Sequence, residues 1–280
     1  MNLVGAFKRL SEEPPFRLVT RAIIKRTPMS MSIRTKERWD AVTRPNYLAG
    51  ILGGADQAKR EGASKISVME FGVAGGNGLV LMQEYAAAVE RETGIGIAVY
   101  GFDAGGGLPA LCGDYRDHPD QWRPSDYRMD EHALRQRLTD RTTLIIGDIK
   151  TTLPDFVAGR KAPPVGFVSV DVDLYSSTVD TLKLFTLPGK SMLRRVPMYF
   201  DDTDFVFNHR FAGELLAIKE FNQAQNCVKI DIWRGLWKNR PFAENPWLRN
   251  MYVAHDLEGI SRASLDRNPA QLRLDQDDPD

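Results

Sequence analysis

From about residue 65 the chain alternates short β-forming runs with longer amphipathic stretches. The runs "KISVMEFG" (65–72), "GIAVYGFD" (96–103), "TTLIIGD" (142–148), "GFVSVD" (166–171) and "VPMYFDD" (196–202) are rich in Val, Ile, Phe and Tyr. Apolar runs of this length, punctuated by Gly, Pro or acid, are the pattern of buried strands. The intervening stretches 79–94, 125–140, 152–159, 177–185 and 210–225 read as helices; Gly94 stops the first and Asp130 is an N-cap candidate for the second. Two closely spaced runs, "CVKIDIW" (227–233) and "NMYVAHDL" (250–257), predict an antiparallel end to the sheet. Strand–helix alternation with crossovers predicts an α/β fold, a mostly parallel seven-stranded sheet covered on both faces. Residues 1–60 read as an N-terminal helical extension, an arm or lid, 61–260 as the main domain and 261–280 as a C-terminal tail.

Charge changes this picture only locally. Lys plus Arg equals Asp plus Glu at 37 each, so the whole molecule carries no nucleic-acid signature. Residues 1–60, however, hold twelve basic against five acidic side chains, while the last six, "DQDDPD", are acidic and expected to fray. The basic arm is read as packing on the domain or on a second subunit, so a homo-oligomer is expected; a membrane-surface helix is the other reading. No apolar run approaches a bilayer span, and the N-terminus lacks the long uncharged core of a secretory signal. Cys112 and Cys227, far apart, form neither a disulfide framework nor a zinc pattern, and a cytoplasmic protein is expected.

In a sheet of this kind ligands bind beyond the carboxyl ends of the strands. Each of the first five strands ends in acid: Glu70, Asp103, Asp148, Asp171 with Asp173, and Asp201 with Asp202. A single such acid often caps the next helix; five in succession point to chemistry. After Glu70 the turn "EFGVAGGNG" spaces its glycines as G-x-x-G-G-x-G from Gly72. That departs from a dinucleotide fingerprint and fits the looser acid-x-G-x-small-x-G turn, through Gly72 and Gly76, that cradles S-adenosylmethionine. Asp103, about 30 residues on, is the ribose candidate, a device that NAD enzymes share. Asp148 could accept from an adenine amino group or cap the helix after it. Asp171, Asp201 and Asp202 lie at two strand ends that can be neighbours, where unpartnered carboxylates repel and a hard divalent cation such as Mg²⁺ resolves the conflict. Asp173 is assigned to the methyl donor or to the helix amides.

The segments "EFGVAGG", "VYGFDAGGGLP", "GDIKTTLPDF", "SVDVDLYSST" and "YFDDTDF", in this order, resemble the macrocin and mycinamicin class of metal-dependent sugar O-methyltransferases, over about residues 66–205. The resemblance implies a Rossmann-like methyltransferase fold, S-adenosylmethionine as donor, and Mg²⁺ held by Asp171, Asp201 and Asp202. It further implies a small hydroxylated acceptor, a sugar of a glycosylated natural product or a saccharide, with Asp171 as the matched base. The chain departs from the family at "LPGKSMLRRVPMYF" before the fifth strand, at Thr203 after the paired aspartates, and at "DAGGGLP". A catechol-like phenol acceptor is the alternative within the same chemistry. An NAD-dependent sugar oxidoreductase and a non-catalytic methyltransferase-like module are the alternatives outside it.

Three further features are candidates. His209 could be a second base. Tyr47 could close over the donor from the extension. Trp233, Trp237 and Trp247 could be core or an acceptor wall. His118 and His132 are expected at the surface.

Overall fold

A computed structural model describes residues 12–26, 31–159, 161–205, 207–224 and 227–264. The acidic stretch 275–280, most of the tail and residues 1–11 of the arm lie outside the described residues. Helices α1 (Phe16–Arg26), α2 (Ile33–Arg38) and α3 (Pro45–Glu61) precede strand β1 (Lys65–Phe71). There follow α4 (Asn77–Thr93), β2 (Gly96–Asp103), α5 (Glu131–Arg135), β3 (Thr142–Ile146), α6 (Ile149–Ala158), β4 (Val165–Val170) and α7 (Tyr175–Leu182). Strand β5 (Arg195–Phe200), helix α8 (Gly213–Gln223), β6 (Val228–Ile232), β7 (Met251–Asp256) and α9 (Leu257–Arg262) complete the order.

The seven strands form one sheet in the order β3-β2-β1-β4-β5-β7-β6. Strands β1 to β5 pair in parallel, and β7 runs antiparallel to both β5 and β6, as the patterning predicts. The helix expected over 125–140 is only Glu131–Arg135. Ser125 and Tyr127 adopt left-handed backbone at φ 70° and 63°, which no helix accommodates, so 125–129 is a turn. Asp130 does cap α5, accepting from the Ala133 amide at 3.0 Å.

Side chains alternate across the sheet. A Cβ on Gly101 would strike Leu79 of α4, while its neighbour Phe102 meets Phe156 of α6 on the opposite face. Helix α3 lies within the stretch read as an extension, yet Leu48 and Ile51 are wholly buried in the central core. Its glycines make the approach possible: a Cβ on Gly50 would fall 2.1 Å from the Phe167 ring, and one on Gly54 2.2 Å from the Gly166 carbonyl.

Register sets the position of the site. Phe102, Phe71, Val170 and Phe200 are successive cross-strand neighbours on β2, β1, β4 and β5. The residues that follow them, Asp103, Gly72, Asp171 and Asp201, therefore form the next row, at the carboxyl edge of the sheet. Gly72 leaves a gap in that row between two acids. It has to be glycine: φ is +84°, and a Cβ there would lie 1.7 Å from the Asp171 carbonyl.

Candidate active site

Above this row lies a cavity of about 640 Å³. Nine of the sequence-proposed residues line it: Glu70, Gly72, Gly76, Asp103, Asp148, Asp171, Asp173, Asp201 and Asp202. Tyr47 and His209 are not among its described lining residues.

On the β1–β2 side the glycine turn is tied down by Asp103. Its Oδ2 accepts from the Val73 and Ala74 amides, each at 2.8 Å, and its Oδ1 from the Gly105 amide at 2.6 Å. A carboxylate has about four acceptor positions, so Asp103 keeps one for a ligand hydroxyl. Gly76, at φ +81°, is the cap of α4. A Cβ on Gly75 would meet no protein atom within 4 Å, although Gly75 lines the cavity; the turn presents bare backbone there. Asp148 caps α6 through Oδ1 on the Lys150 amide at 2.9 Å while also facing the cavity, so the cap reading holds.

Glu70 stands beneath the gap left by Gly72. Its Oε1 accepts from the Tyr47 hydroxyl at 2.5 Å, and its Oε2 is buried with no hydrogen-bond partner among the described residues. Burial pushes its carboxyl up to about 8, with Asp171 and Asp103 adding to the shift and Tyr47 and Arg44 opposing it. Tyr47 was expected to close over a donor. Instead it is fully buried behind the wall, edge-on to Phe167 and Tyr199, and accepts from Arg44 Nη1 at 2.9 Å and Ser169 Oγ at 3.0 Å. It serves the cavity by fixing Glu70.

On the β4–β5 side the acids crowd. Burial raises Asp171 to about 7, with Asp201 next in size and Arg44 opposing. Burial likewise raises Asp173 to about 8, helped by Asp202, Asp171 and Asp201. Asp202 is pushed up to about 6 by burial and Asp201, and a proton shared with Asp173 works in the opposite sense. Its Oδ2 is buried without a hydrogen-bond partner among the described residues. Two of the acids are turned to other neighbours: Asp201 accepts from the Tyr199 hydroxyl, and Asp171 faces Arg44 Nη1 at 3.8 Å. Accordingly, among the described residues no three His, Cys, Asp or Glu side chains are gathered closely enough to hold a metal ion as they stand. The donor set itself is what a hard cation prefers: clustered carboxylates, one with a buried orphan oxygen.

Asp173 does not cap the helix after it. Leu174 occupies the cap of α7 without a side-chain bond, and the Ser176 amide is served at 2.8 Å by Asp117 from the remote β2–α5 loop. The other oxygen of Asp117 holds the Cys112 amide at 2.6 Å, which pins this loop across the cavity mouth. Trp122 and Tyr127 from the same loop line the cavity, with ring centroids 6.3 Å apart.

His209 is exposed and packs on His118 at 5.3 Å and on Phe211 at 6.1 Å. The structure therefore does not bring it to the acids' cavity. His118, expected at the surface, is 4% exposed and lies between Phe205 and His209. Burial lowers its pKa, and the neighbouring His209 adds to this. His132 is exposed. Of the tryptophans, Trp233 packs on Gly53, Trp247 lies against Arg240, and Trp237 is exposed; none is among the described lining residues.

Sequence reasoning missed three contributors. Arg44 lines the cavity beside Glu70 and Asp171. Glu214 of α8 is buried, accepts the Asp202 amide at 2.9 Å, and has its proton affinity raised well above normal by burial and by Asp202. Asp117 positions the mouth loop. None of the three carried a signal in the sequence, because only folding brings each to its partners.

No protein-family model matches the chain, and no curated protein matches its sequence. Solved structures do match. CalS11, a calicheamicin methyltransferase, aligns with 87% of this chain and 93% of its own at 17% identity, with a TM-score of 0.54. TomG of Streptomyces achromogenes, an O-methyltransferase of tomaymycin synthesis in complex with SAM, aligns with 90% of this chain and 94% of its own at 13% identity and a TM-score of 0.39. The seven-stranded, mostly parallel sheet with its reversed β7, together with the likeness in fold to CalS11, gives this chain the Rossmann-like methyltransferase fold.

Proposed function

We propose that the protein is an S-adenosylmethionine-dependent, Mg²⁺-dependent O-methyltransferase. The acceptor is a hydroxyl of a small molecule, foremost a sugar of a glycosylated natural product or a saccharide. The observation that carries this reading is the row Asp103–Gly72–Asp171–Asp201 along the edge of the sheet beneath one cavity. A ribose acceptor, an open slot and an acid cluster occupy neighbouring strand ends, at intervals of about 4.8 Å. The bare backbone at Gly75 and the orphan Glu70 Oε2 are what a donor with a cationic head requires of its cradle. A dinucleotide is disfavoured by the glycine spacing from Gly72.

The reaction is an in-line displacement: the acceptor oxygen bonds to the methyl carbon, the carbon–sulfur bond breaks, and its electron pair stays on sulfur. Asp171, at the end of β4 beside the cavity, is the residue assigned to take the hydroxyl proton. His209 is left as a second base only if its segment moves. Asp171, Asp201 and Asp202 are the residues that would hold Mg²⁺. When bound, the ion would supply positive charge beside the acceptor oxygen and lower its pKa. Trp122 and Tyr127, set edge to face, give the mouth an aromatic lining, which also suits a catechol-like phenol.

Transfer of labelled methyl from S-adenosylmethionine to a panel of vicinal-diol sugars and catechols tests the reading. Transfer that needs Mg²⁺ and stops with chelator is expected. Metal-independent transfer, or none with any diol, contradicts it. We also propose a cytoplasmic homo-oligomer: α1 turns Arg17 and Arg21 inward onto Phe242 and leaves Phe16, Leu18 and Val19 exposed. Among the described residues no helix is long and apolar enough to cross a membrane. Sedimentation as a monomer at micromolar concentration contradicts the assembly.

A further inference from the structure

Arg44 is placed under strain. It precedes Pro45, where extended backbone is favoured, yet it sits at φ 47°, ψ 65°. A left-handed conformation is unfavourable for any residue with a Cβ. The surroundings hold it there: Nη1 donates to the Tyr47 hydroxyl at 2.9 Å, and the guanidinium lies 5.1 Å from the centre of the Tyr47 ring. The remaining guanidinium nitrogens, Nη2 and Nε, have no hydrogen-bond partner among the described residues. Asp171, at 3.8 Å from Nη1, is beyond hydrogen-bond reach. A strained residue thus lines the cavity with a guanidinium edge, Nε and Nη2, that makes no hydrogen bond among the described residues.

Strand order says what that fork meets, on the reading that the cavity holds S-adenosylmethionine. The order β3-β2-β1-β4 places Asp148, Asp103, Glu70 and Asp171 successively along the edge. With adenine toward Asp148 and ribose at Asp103, the amino-acid end of the donor comes to the β1–β4 junction. It is a zwitterion. At that junction stand Glu70 Oε2, a buried acceptor without a partner among the described residues, and Arg44. We propose that Arg44 binds the α-carboxylate of the methyl donor while Glu70 accepts from its α-ammonium. The planar fork suits a carboxylate bidentately, which a lysine cannot reproduce.

The test is calorimetric and needs no turnover. S-adenosylhomocysteine and its decarboxylated counterpart are titrated into the wild type, Arg44→Gln and Arg44→Lys. Hydrogen bonds to charged groups contribute enough that Arg44→Gln is expected to bind S-adenosylhomocysteine about 10- to 100-fold more weakly. The same variant is expected to bind the decarboxylated ligand as the wild type does, which also shows that it folds. Arg44→Lys should recover only part of the loss. Equal weakening toward both ligands would make Arg44 a structural residue and overturn the inference; so would undiminished binding of S-adenosylhomocysteine. If the wild type binds neither ligand, the donor assignment itself fails. That outcome is distinct from binding that ignores residue 44.

Discussion

Four carboxylates at the sheet edge hold their protons above the ordinary carboxylate range: Asp202 to about 6, Asp171 to about 7, Asp173 and Glu70 to about 8, burial leading in each case. A raised acid stabilises the fold below its unfolded pKa, near 4, and loses that contribution as pH rises through its folded value. For Glu70 the window runs from about 4.5 to about 8. Glu70→Gln keeps an acceptor for Tyr47 and removes the titration. The variant should therefore gain on the wild type as pH rises across this window, by a few kcal/mol in all. Urea unfolding of both proteins at pH 5 and pH 8 checks it, and a stability difference that stays flat refutes it. Such acids were legible in the sequence because each ends a run of β-formers. Their partners were not: Arg44 lies 127 positions from Asp171, and only folding brings Asp117 to Ser176.

At the scale of elements, the turn after β1 separates structural from functional glycine. Gly72→Ala meets both a forbidden φ and the Asp171 carbonyl, so a loss on the order of 3–5 kcal/mol, or failure to fold, is expected. Gly75→Ala meets no protein atom; its stability should stay within about 0.5 kcal/mol of wild type, while S-adenosylhomocysteine binding weakens at least about tenfold. Thermal unfolding paired with calorimetry reads both, and a Gly75→Ala protein that binds normally would place the ligand elsewhere. Helix α3 shows why the main domain was harder to delimit than its strands. Its contact face includes Gly50, Gly53 and Gly54, which read as neither a hydrophobic stripe nor a loop. The strands were legible because period and composition agree; α3 was read as helical, but its docking on the sheet was not legible, because close approach depends on missing side chains. The segment 125–140 misled for the opposite reason, since its helix-forming residues follow two left-handed turns.

Across the whole molecule, a buried ionic cluster ties the N-terminal helices to the C-terminal third. Arg240, with 7% of its side chain exposed, pairs with Glu37 and Asp40 and lies 5.0 Å from the centre of the Trp247 ring. Asp40 also accepts from Asn245 and from Trp247 Nε1. Arg240→Ala leaves two buried acids without their cation and should cost about 3–5 kcal/mol, read by urea unfolding; a change below about 1 kcal/mol would mean that the acids simply take up protons. This cluster holds Asp40 four residues before Arg44, and so ties the segment leading to the cavity to residues 240–247. The central claim is that this cavity holds a methyl donor beside a cation site. Titration of S-adenosylhomocysteine, with and without Mg²⁺, into the wild type and into Asp171→Ala and Asp202→Ala tests it most directly. Donor binding to all three proteins, with Mg²⁺ binding confined to the wild type, is the expected result. No heat with S-adenosylhomocysteine, and binding of NAD in its place, would contradict it.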